Sequence, residues 1–327
     1  MQCYSKAVYS SVLLALALVQ ATGAWAAAPI RWKFKEGQSL NYVLERGAEG
    51  KVNLTGAEFA FKMGMAFDTT WQIKSVASDG TATVEQTVDR IQINMSSPLA
   101  GTMAYDSKNT EKPAAGPVWA MLEPVVTGML GQTFKVKISS LGVVSDIELP
   151  AKLSESFAKQ KVGQNRQAGL GIGGNAFSEK GIKELITRSV VPLPEASDAN
   201  AAWSQSFENV IPFVGTQTTE VKFSLAGNEK IDGKDLVKIA TATELTFEPA
   251  DDARAELEIT AQEGSGVFYF DAAEGDRINA AVKQSSAMEM SGPQELTQEI
   301  KETSSIRLGK SPDKAPQAAS EAKPAAK

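Results

Sequence analysis

The chain has 327 residues, with 33 basic and 39 acidic side chains, one cysteine and no histidine. Cys3 falls inside an export-signal pattern, so the mature chain is expected to carry neither thiol nor imidazole. That excludes a Ser-His-Asp triad, a Cys-His nucleophile, zinc on His or Cys ligands, and any disulfide. The expectation is a non-catalytic protein with no cofactor.

Residues 1–26 read as a signal peptide. Lys6 supplies the positive start, Ala7 to Ala21 is apolar, and Ala24-Trp25-Ala26 has the small-x-small pattern that signal peptidase reads. The apolar run is shorter than the ~20 residues a spanning helix needs, so no stable membrane span is expected after cleavage. Cys3 precedes that run and is no lipidation site by position. Residues 27–308 are expected to form a single β-rich domain around a helical insertion at about 117–190, and 309–327 a low-complexity tail. The predicted location is outside the cytoplasm, periplasmic or extracellular.

The net charge of −6 hides a division. Residues 27–194 hold 19 basic and 16 acidic side chains, whereas residues 195–308 hold 9 and 21. An acidic second half argues against a nucleic-acid partner, which needs a basic stripe.

Taken in order, Thr70 to Val76 alternates, with Trp71 and Ile73 on one face. Ser78-Asp79-Gly80 then marks a hairpin, and Thr81 to Met95 returns. Its apolar phase flips between Val88 and Ile91, which predicts a bulge near Asp89-Arg90 or a bend from one core to another. Pro117 to Leu130 reads as a helix apolar nearly all round, with Pro124 placed to kink or divide it. Pro150 to Lys161 and Ser178 to Val190 read as amphipathic helices, the second with Ser178 as N-cap. Between them, Gly169 to Gly174 matches G-x-G-x-x-G without the preceding strand that pyrophosphate binding needs, so it reads as a loop.

Beyond 195, alternation resumes through Val221 to Leu225, a turn at Asp232-Gly233, and Val237 to Phe247. Leu257 and Ile259, the run Val267 to Phe270, and Leu296 to Leu308 follow. The pattern rules give about ten to twelve strands with hairpin-length connections. The fold class is therefore α+β, mainly antiparallel: a curved sheet or half-barrel with the helical insertion packed on one face.

Two candidate sites emerge. The apolar helix places Trp119, Met121, Leu122, Val126 and Met129 to line a cavity for an apolar guest against the concave face, methionine being adaptable to variable ligands. Asp271, Glu274 and Asp276 form an acidic turn after a strand, a conceivable calcium site that departs from the twelve-residue loop spacing.

Arg31-Trp32-Lys33-Phe34-Lys35-Glu36-Gly37, Leu40 to Val43, Asp68 to Val76 with Asp79-Gly80, Gln86, Asp89-Arg90-Ile91, and Phe268 to Asp271 with Gly275 and Arg277 form a recurring set. Together they resemble an uncharacterised family of exported bacterial proteins of planctomycete type. The resemblance covers most of 30–308, implies an envelope or secreted setting, and transfers no site residue.

Three functions fit. The first is a binding or carrier module for a hydrophobic or envelope-associated ligand. The second is a structural or interaction protein of the cell envelope with no small ligand. The third, a carboxylate-based hydrolase, fits least, since no acid pair stands in a distinguishing context. No oligomeric state is legible.

Overall fold

A computed structural model describes residues 29–98, 101–109, 114–161, 178–198, 201–211, 213–275, 278–292 and 295–311. The signal pattern, the glycine-rich motif at 169–174 and residues 312–327 lie outside the described residues. Among those described, no helix is long and apolar enough to cross a membrane.

Among the described residues twelve strands form one open sheet: β1 (Ser39–Leu54), β2 (Ala57–Val76), β3 (Ala82–Ser97), β4 (Gly101–Asp106), β5 (Thr133–Ile138), β6 (Val144–Glu148), β7 (Ala202–Ile211), β8 (Gly215–Ile231), β9 (Lys234–Pro249), β10 (Glu256–Phe270), β11 (Ile278–Ser291) and β12 (Leu296–Leu308). The order is β6-β5-β3-β2-β1-β12-β11-β10-β9-β8-β7, with β4 also paired to β3. All strand pairings are antiparallel. The first strand pairs with the last along its length, from Tyr42 opposite Leu308 to Leu54 opposite Leu296, and this seam joins the two halves of the chain.

The turns follow from their residues. Thr81 N–H donates to Asp79 Oδ1 at 2.9 Å, and Gly80 takes φ +83°. Asp232 and Gly233 both have positive φ, as a two-residue hairpin turn that matches strand twist requires. The expected bulge is present. Asp68 pairs with Arg90 and Thr69 with Val88, so Asp89 is the extra residue, and Val88 and Ile91 both stay in the core.

The described residues include three helices, in the expected places: α1 (Pro117–Met129), α2 (Ala151–Lys161) and α3 (Glu179–Arg188). Pro124 lies inside α1 without dividing it. A β-carbon on Gly128 would sit 3.3 Å from Leu153 Cδ1, so the missing side chain lets α1 and α2 approach closely. Ser178 caps α3, its Oγ accepting from Gly181 N–H at 3.0 Å, and Ile182 and Ile186 face inward.

The sheet curls toward the face that the helices cover. Phe207 of β7 and Arg46 of β1 are six strands apart in the sheet, about 28 Å if it were flat. Yet one side chain on α3 serves both. The Arg188 guanidinium lies 3.8 Å from the Phe207 ring centre and interacts electrostatically with Arg46 and with Glu302 of β12. Burial lowers the Arg188 pKa, with the Arg46 charge adding to that, while Glu184, 2.8 Å away, opposes it.

The segment before β1 seals one end of this concavity. Trp32 is almost fully buried, stacks on Phe34 at 5.2 Å and meets Phe270 edge-on at 5.3 Å. Its indole N–H donates to the Val191 carbonyl at 3.1 Å. Trp203 of β7 stacks on Phe223 and donates to the Pro192 carbonyl, so residues 190–193 run between two tryptophans.

Candidate functional site

The helix residues singled out from the sequence are core side chains. Trp119, Leu122, Val126 and Met129 are all buried, and Trp119 stacks on Tyr105 of β4 at 4.5 Å. The side chain of Met121 lies outside the described set. Met129 borders a cavity of about 40 Å³ lined by Leu44, Phe67, Trp71, Val88, Phe134 and residues of α3. That volume suits a water and is far below what an acyl chain fills. Gln86 also lines it, and its buried Nε2 has no partner among the described residues. Beneath α1 and α3 the concave face is therefore filled by side chains.

Farther along the strands, no helix or loop residue among the described residues packs the same face into the main core. Cross-strand partners share a face, so the registers define its rows. One row runs Phe59, Val52, Gln298, Met288 and Ile259; the next runs Leu54, Leu296, Met290 and Leu257. The apolar side chains of both rows are half-buried. None of them joins the main core or packs against it. The intervening residues point the other way and are charged and exposed: Lys51, Glu58, Glu258, Glu289 and Glu299. Gln217 Nε2 on β8 approaches Met288 Sδ at 3.6 Å although two strands separate them, so the trough stays curled here. It is an apolar trough floor on strands whose opposite face is charged, with Arg46, Arg188 and Glu302 where the filled end begins. Leu257, Ile259 and Leu296 were readable as strand residues; their meeting with Val52, Phe59 and Met288 rests on the β1–β12 seam.

The acidic turn is held by its own backbone. Asp271 is buried, and its Oδ1 accepts from Ala273 N–H at 3.1 Å and Glu274 N–H at 3.0 Å, while Oδ2 faces Lys234 Nζ at 3.4 Å. Burial pulls its pKa upward, but the Glu274 amide and Lys234 together outweigh it and the net shift is downward. Glu274 points to Lys35 at 3.9 Å, and Asp276 lies outside the described residues. The turn thus clamps the N-terminal segment, since Lys33 N–H donates to the Gly275 carbonyl and Lys33 Nζ to the Ala272 carbonyl. Among the described residues no group of three or more Asp, Glu, His or Cys could hold a metal ion.

Comparison with known proteins gives no curated relative. Among solved structures, a lipovitellin determined for its lipid–protein interactions is 11% identical with a TM-score of 0.40; the match covers 88% of this chain and 27% of that one. This chain thus spans little more than a quarter of the lipovitellin chain. An outer membrane channel from Pseudomonas putida F1 is 8% identical with a TM-score of 0.23, covering 85% of this chain and 97% of that one. A DUF1329 family protein from Desulfovibrio piger is 10% identical with a TM-score of 0.16, covering 83% and 86%. Scores at this level do not establish a common fold. The sequence comparison is more direct: the model of DUF6263, a family of unknown function, matches residues 79–265, more than half the chain, and the protein belongs to that family.

Proposed function

We propose that this protein is an exported, non-catalytic binding or carrier module that takes an apolar ligand along its concave face. The observation that carries the reading is the double row from Phe59 to Ile259 and from Leu54 to Leu257. These apolar side chains share one face, stay outside the core and have charged neighbours on the opposite face. Fully burying one such side chain is worth about 1.5–3 kcal/mol, so a guest covering several gains useful affinity. Methionines at 288 and 290 fit a guest of variable shape. The lack of histidine, and of any cysteine other than Cys3, supports a role without chemistry.

The test is titration with an environment-sensitive apolar dye. Ile259→Glu and Met288→Glu place a charge on the trough floor and are expected to weaken binding about tenfold or more. Thr297→Glu, on the opposite face, should leave it unchanged. Equal binding by all three variants would remove the trough as the site. A structural or interaction role in the envelope is the second reading, favoured by the exposed apolar side chains Val210 and Phe213.

A further inference from the structure

The two ends of the sheet differ in how they are guarded. A free strand edge presents unpaired N–H and C=O groups, and proteins blunt it with short strands, lysines, prolines or bulges. At one end β6 has five residues, a register irregularity against β5, positive φ at Asp146, and a Lys137–Asp146 ion pair. At the other end β7 has ten residues, one charge (Glu208), and an unbroken register with β8. From Ala202 to Glu208, every backbone hydrogen bond among the described residues that involves β7 runs to β8. Val210, near the end of this edge, is 59% exposed.

We propose that β7 pairs antiparallel with β7 of a second copy of this chain, about a two-fold axis at Phe207. The strand is self-complementary in that register. On the concave face Phe207 meets its own copy and Trp203 meets Ile211. On the outer face Ser206 meets Glu208 and Ser204 meets Val210, which covers the exposed valine. The single charge never faces itself, whereas an axis at Glu208 would oppose two carboxylates. Such a contact is isologous and closes after two copies. It also joins the two concave faces, so that their apolar floors lie in one continuous sheet. A peptide of another protein could add to the same edge; the symmetry of the side-chain pattern favours the second copy.

Sedimentation equilibrium of the full chain is expected to show a reversible dimer. Ser206→Glu puts two like-charge contacts into it and should weaken it by about twofold to thirtyfold. Adding Glu208→Lys turns both contacts attractive and should restore it, although Ser206→Glu still faces Glu220 within its own chain. In a Cys3→Ser background, Ser206→Cys mixed with Glu208→Cys should cross-link on oxidation. Opposite Cα atoms lie about 4.5–5.5 Å apart, within disulfide reach. Each cysteine variant alone should not, being displaced by two residues from its copy. A monomer at all concentrations overturns the proposal. So does a dimer that Ser206→Glu leaves intact, or one in which the single variants cross-link as readily as the mixture.

Discussion

Trp32→Ala is expected to lower the unfolding free energy by about 3–5 kcal/mol, the usual cost of emptying a buried tryptophan site. The indole is packed between Phe34 and Phe270 and hydrogen-bonded to the Val191 carbonyl. Its removal frees the segment before β1 and residues 190–193 together, because both seal the same end of the concavity. Trp32→Phe keeps most of the apolar contact, loses the N–H donor and should cost less. Denaturant titration measures both. A loss below about 1 kcal/mol for the alanine variant would mean that this segment does not close the core.

Asp106→Asn is expected to cost about 3 kcal/mol at neutral pH, because it strips a buried arginine of its carboxylate. Arg90 is 2% exposed, and it holds Asp106 through two bonds, Nε to Oδ1 at 2.9 Å and Nη2 to Oδ2 at 2.6 Å. These bonds, with those from Gln92 and the Lys108 amide, lower the Asp106 pKa to about 2, although its partial burial works upward. The folded pKa lies below the unfolded value, so the contribution is fully present above about pH 4 and is lost as pH falls through 2. The gap between wild type and variant should therefore narrow by about 2 kcal/mol between pH 5 and pH 2. A gap independent of pH would show that the aspartate carries no charge-dependent stability.

Local chemistry made much of the fold readable. The phase change from Val88 to Ile91 located the Asp89 bulge because a one-residue slip would otherwise turn the strand inside out. Ser178, Asp79-Gly80 and Asp232-Gly233 each specify a cap or turn through their own side chain or φ. The β1–β12 seam was not readable, since two strands about 250 residues apart leave no local signal of their pairing. Without that seam, Val52 and Met288 are two half-polar strand positions and the trough does not exist on paper. The edge strand leaves no clear sequence pattern for a related reason: Gln205 and Asn209 interrupt the Trp203, Phe207, Ile211 alternation. The apolar character of α1 is legible in its sequence, but its place in the packing is not. Trp119, Leu122 and Val126 fill the concave end, and the apolar surface that no described residue joins to the core lies farther along the strands.

An apolar guest on the trough floor is what the proposed function requires. Native mass spectrometry of the protein isolated from an exporting host tests it most directly. The expected result is an added mass that an organic extraction identifies as lipid and that the Ile259→Glu variant loses. Protein that carries no added mass, and takes up none from supplied lipid, would contradict it.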